Sequence, residues 1–170
     1  MKAIKFFAIA ILFSGVSVIS SAQVTATATA SSTIVTPIGI TKTVDMNFGN
    51  VAINSTTAGT VVLAPAGTRT STGGVTLPAT AGTVAAAEFN VTGANNYTFS
   101  ITLPSTSHEI KSGSNTMSVT GFTSTPTPTG TLSATGSVTV KVGATLNVSA
   151  GQAAGTYTSV TPFEVKVNYN

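Results

Sequence analysis

The 170-residue sequence contains no cysteine, no tryptophan, one histidine, and charged side chains at only 6% of its positions. Each shortage excludes a class of chemistry. Without cysteine there is no disulfide staple, no thiolate metal site, no lipid attachment through sulfur and no cysteine nucleophile. Stability must then come from a packed core and from sheet pairing. A single histidine and isolated carboxylates match neither the several His or Cys ligands of zinc nor the clustered acids of a calcium loop. No metal or cofactor site is expected. Basic residues beyond the N-terminus are Lys42, Arg69, Lys111, Lys141 and Lys166, spread singly against Asp45, Glu88, Glu109 and Glu164. Such a scatter cannot neutralise a phosphate backbone, so nucleic acid is excluded as a main partner.

Apolar runs are also scarce, with one exception. Lys2 and Lys5 precede a mostly apolar stretch from Phe6 to about Ile19, and Ser20-Ser21-Ala22 supplies small residues before Gln23. That order is a secretory signal peptide, residues 1–22, cleaved after Ala22. The apolar core is shorter than the roughly 20 residues of a membrane span. No later run is long enough to cross a bilayer. An exported, periplasmic, surface or extracellular protein with a single domain over residues 23–170 is expected.

What the chain does have is serine, threonine and β-branched residues in period-two patterns. Val24, Ala26, Ala28 and Ala30 alternate with Thr25, Thr27 and Thr29, which reads as a first strand. Val61 to Leu63 is followed by a polar loop over Gly67–Gly74. Tyr97, Phe99, Ile101 and Leu103 alternate clearly up to Pro104. Val138, Val140 and Val142 predict a hairpin with Leu146 and Val148 about Gly143-Ala144. Phe163, Val165, Val167 and Tyr169 alternate with Glu164, Lys166, Asn168 and Asn170 as a last strand. No i, i+3, i+4, i+7 stripe occurs, and Gly82 weakens the one Ala-rich stretch as a helix. About 8–10 short strands between Gly, Pro and Asn turns predict an all-β, antiparallel β-sandwich.

Catalytic groups are hard to assemble from this list. His108 lies beside Glu109 in a polar stretch, Ser105–Ser112, that reads as a loop. Adjacent residues on a strand would face opposite ways, and no serine sits in a Gly-x-Ser-x-Gly elbow. Glu164 should face solvent beside Lys166, so no acid pair for glycoside hydrolysis stands out. The Gly67–Gly74 stretch lacks the Lys-Ser/Thr and helix of a phosphate loop. Asn54, Asn90, Asn96 and Asn147 fit the glycan acceptor pattern, which a Ser/Thr-rich chain meets by chance. No catalytic residue is assigned.

Several short motifs do share a source. Met46-Asn47-Phe48-Gly49-Asn50, Glu88-Phe89-Asn90-Val91-Thr92-Gly93, Val142-Gly143-Ala144-Thr145-Leu146, Gly155-Thr156-Tyr157-Thr158 and the terminal Val165–Asn170 resemble the bacterial domain of unknown function 4402. More distantly they are similar to spore coat protein U and the chaperone–usher pilins. The resemblance implies an immunoglobulin-like sandwich at a bacterial surface, with no catalytic residues. In the pilin relatives the last strand alternates, carries a penultimate tyrosine and is completed by a neighbour's strand. Phe163, Val165, Val167 and Tyr169 match that pattern and are the candidate assembly strand, acting by β-augmentation.

The expectation is a non-catalytic secreted or cell-surface structural or adhesive protein, pilin-like or coat-like, with self-association through a sheet edge. The alternative is a soluble extracellular binding module, for example for carbohydrate, although the exposed aromatics of such sites are scarce here.

Overall fold

Among residues 22–170, which the computed structural model describes, β-branched residues between turn-forming glycines give strands and no helix. Residues 1–22, the expected leader, lie outside the described residues apart from Ala22. The chain divides into two units, residues 1–33 and Ile34–Asn170. In the first, residues 22–33 are exposed and form no strand, which corrects the expected strand at Val24–Ala30. Alternating Ala and Thr satisfy the period but offer little apolar area to bury, so alternation alone secures no partner.

The second unit carries β1 (Gly39–Val44), β2 (Asn47–Phe48), β3 (Ala52–Ile53), β4 (Gly59–Leu63), β5 (Arg69–Gly73), β6 (Val75–Thr76), β7 (Val84–Ala85) and β8 (Ala87–Thr92). Then follow β9 (Thr98–Thr102), β10 (His108–Ser112), β11 (Asn115–Thr125), β12 (Thr129–Thr131), β13 (Ser137–Val148), β14 (Thr158–Ser159) and β15 (Lys166–Tyr169). The larger sheet runs β1-β8-β13-β11-β10-β14, with β4 added on β13 and β5 on β4; the smaller runs β12-β9-β15. All pairings are antiparallel. The arrangement is the expected antiparallel sandwich, curled and supplemented by the short pairs β2-β7 and β3-β6.

The central element is β13, and it corrects the hairpin expected about Gly143-Ala144. Twelve residues continue as one strand. Val140, Val142, Ala144, Leu146 and Val148 are all buried on one face. On one side β13 pairs with β11 along most of its length. On the other it pairs with β8 up to Val142 and with β4 from Ala144. Gly143 is where the neighbour changes. A Cβ there would meet the Leu63 carbonyl oxygen, Ala64 C and Pro65 N, so the residue serves a backbone crossing rather than a turn.

Opposite this point β11 has a bulge: Thr120 faces Thr145 and Thr123 faces Gly143, so Gly121 and Phe122 together oppose Ala144. Gly121 has φ 58°, the left-handed geometry that such bulges place on glycine. The inward parity shifts from Met117 and Val119 to Phe122, which packs on both core clusters. One cluster is built on Phe89, Val91, Phe99, Leu132, Val140 and Val167, the other on Val61, Val75, Val119, Leu146 and Val148.

Two further expectations are corrected. The supposed loop Gly67–Gly74 contains β5, the second arm of a hairpin with β4, from Leu63↔Arg69 to Gly59↔Gly73. The stretch expected as a loop around His108 contains β10. Both are poor in apolar residues and pair through backbone. We predict that Gly143→Ala lowers unfolding free energy by about 1–3 kcal/mol, because fixed backbone atoms cannot yield to the new methyl. Urea denaturation measures this; wild-type stability would refute the crossing described.

Candidate functional site

The assembly residues expected at the C-terminus lie on and just before β15, and their side chains turn inward. Val165 and Val167 are each only 9% exposed and belong to the core. The strand itself begins at Lys166, so Phe163 and Val165 precede it. Phe163 stacks edge-on with Phe89, ring centroids 6.4 Å apart, and lies 5.1 Å from Phe122. Tyr169 is a clasp. Ala94 N–H donates to its hydroxyl at 2.6 Å, and that hydroxyl donates to Thr36 O at 2.8 Å. Its ring meets Tyr97 in an edge geometry at 5.6 Å. Tyr97, which the alternation with Phe99 and Ile101 would turn inward, is 46% exposed.

What β15 offers outward is therefore backbone. It pairs with β9 from Lys166↔Thr102 to Tyr169↔Phe99 and ends the smaller sheet. An edge strand directs the N–H and C=O groups of alternate residues away from its one neighbour. No described strand takes them up.

His108, on the inward side of β10, has its Nε2 3.0 Å from Ser159 Oγ, and its ring lies edge-on to Phe163 at 5.9 Å. Glu109 faces the other way and is bound to Lys111 at 3.0 Å. The histidine and its sequence neighbour are thus not brought together, as opposite strand faces require. A small cavity of about 370 Å³ beside His108 and Phe163 also contains Glu164, which is paired with Lys166 at 3.4 Å. The other two acids are likewise paired: Asp45 with Lys42 and Glu88 with Lys141, both at 2.7 Å. Among the described residues no group of three potential metal-ligating side chains occurs.

One important residue escaped the sequence reading. Arg69, the only arginine, donates from Nη1 to Phe48 O at 2.5 Å and to Asn50 O at 2.7 Å, and from Nη2 to Ala81 O at 3.5 Å. It ties the segments around β2 and β7 to β5. Its partners are carbonyls, which carry no sequence signal; a lone arginine among threonines and glycines was the only hint.

A family model described as "Domain of unknown function (DUF4402)" matches residues 38–169. The chain belongs to this family. The matched span opens one residue before β1 and closes on the last residue of β15, so the DUF4402 domain here comprises every strand among the described residues. No curated protein and no solved structure matches the chain. The DUF4402 match contains the motifs at Met46–Asn50, Glu88–Gly93, Val142–Leu146 and Gly155–Thr158, and the terminal motif from Val165 as far as Tyr169.

The clasp gives a direct test. Tyr169→Phe removes both hydrogen bonds and leaves Ala94 N–H without its partner, which should cost about 1–3 kcal/mol. Denaturant titration checks this, and an unchanged midpoint would show that the hydroxyl holds nothing.

Proposed function

We propose that this DUF4402 protein is a non-catalytic, exported structural or adhesive protein that self-associates, as a pilin-like or coat-like subunit, through the free edge of β15. The observation that carries the reading is the terminal strand: its inward side chains are committed to the core, while its outer backbone edge has no described partner. An open edge is a template for another strand, and its own peptide groups supply the binding energy.

Two features support it. Lysine on an edge normally repels a second strand, but Lys166 has its charge matched by Glu164. The expected mature chain carries five basic and four acidic side chains, a net of +1, and a near-neutral chain resists association weakly. The closed core also sets the mode. Val165 and Val167 are already covered, so a partner adds to the edge and fills no vacant core position. The absence of catalysis is supported by the pairing of every acidic side chain with a lysine, which leaves His108 with a serine but no acid.

Export and association are checked together. Protein recovered outside the cytoplasm should begin at Gln23 and sediment as concentration-dependent oligomers or filaments. Asn168→Lys, at an exposed position on β15, adds an unmatched edge charge and should shift the material to monomer without altering its melting. A wild-type chain that stays monomeric at every concentration would sink the proposal.

A further inference from the structure

A second surface of the larger sheet suits a ligand rather than another strand. The outer faces of β4, β13, β11 and β10 form a hollow of about 800 Å³, within the roughly 300–1,000 Å³ of small-molecule sites. Thr60, Asn147, Ser118 and Glu109 cross it in one register row, each directly opposite the next. Adjacent strands lie ~4.8 Å apart, so the row presents a polar group at intervals comparable to the length of one sugar ring. Thr116 and Ser149 flank it.

The chemistry of this lining is narrow. Glu109 is neutralised by Lys111, so the hollow carries no net charge for an ionic ligand. β4, β13 and β11 beneath it are paired on both sides in the larger sheet, and β14 covers β10 at Ile110 and Lys111, so across most of the hollow no backbone edge is open to a peptide. The side chains along the row are hydroxyl, amide and carboxylate, with no apolar anchor. The hydroxyls of Ser118, Thr116 and Ser149 have no hydrogen-bond partner among the described residues. Asn147 is held in place: its Nδ2 donates to Ser118 O at 3.1 Å and to Thr120 Oγ1 at 3.0 Å. Its Oδ1 is thereby fixed as an acceptor, with little ordering cost on binding.

We infer that this hollow binds a neutral, hydroxyl-rich glycan. The inference rests on the adhesive half of the function proposed above and names its ligand class. No Phe, Tyr or Trp lines the hollow, and His108 at its rim turns its ring to Phe163 on the inward side, so a single site binds weakly, and an assembled array of copies supplies the avidity.

Affinity electrophoresis of the full exported chain through gels containing dextran, mannan or a β-1,3-glucan tests it, with heparin as the anionic control. At least one neutral polysaccharide should retard the protein, and should do so undiminished in high salt. Ser118→Arg and Thr60→Arg each push a long charged side chain into the row and should weaken retardation at least about tenfold, or 1.4 kcal/mol. Thr139→Arg, on the outer face of β13 away from the hollow, should not. Thermal melts confirm that each variant is folded, and either blocking variant suffices. No retardation by any neutral polysaccharide, equal retardation of both blocked variants, or retardation by heparin alone would overturn the inference. Sedimentation of the same samples separates the two claims: a chain that oligomerises but ignores the gels loses only the glycan site, and a monomer that is retarded loses only the assembly.

Discussion

Everything in this fold depends on one strand being shared by two cores. The inward face of β13 contributes Val140 and Val142 to one cluster and Ala144, Leu146 and Val148 to the other. Burial of these side chains is the main favourable term available to a chain with no disulfide and few charges. The sharing requires that β13 change neighbours midway, and Gly143 permits it because backbone passes where a side chain would stand. The β11 bulge opposite adjusts the other side of the same junction, turning Phe122 into the seam between clusters. Arg69 completes the second core from outside by holding the β2 and β7 segments over it through carbonyl bonds.

That economy shapes the surface. The four acidic side chains are each matched to a lysine, and the single arginine is spent on carbonyls. Charge on the described surface is therefore largely compensated, and backbone at sheet edges and hydroxyls on sheet faces are left outward beside it. Both kinds of group form neutral hydrogen bonds. Such groups gather along the free edge of β15 and in the hollow over β4, β13, β11 and β10, where Thr60, Asn147 and Glu109 have internal partners and the hydroxyls of Ser118, Thr116 and Ser149 have none among the described residues.

The parts of the fold legible in the sequence were those where alternation coincides with real apolar bulk. Phe99 and Ile101 on β9, and Val167 and Tyr169 on β15, announce strands because their inward residues are large. Gly143-Ala144 misleads because glycine serves turns and backbone crossings alike, and only the neighbouring strand distinguishes them. Arg69–Gly73 and His108–Ser112 pair mostly through backbone, so side-chain periodicity is silent there. Val24–Ala30 shows the reverse error, a strict period with too little area to bury. Alternation marked Phe163, Val165, Val167 and Tyr169 as one face of a strand, but their places in the core and the clasp depend on long-range partners: Thr36, Ala94, Phe89 and Phe122.

The continuity of β13 is open to direct measurement by amide hydrogen exchange. If one strand runs from Ser137 to Val148 between its neighbours, the amides of Val142, Ala144 and Leu146 that lie in the ladder should exchange as slowly as those of Val140, near the global unfolding limit. Fast exchange confined to Gly143 and Ala144, with slow exchange on both flanks, would mark a turn at that site and contradict the shared strand on which both cores depend.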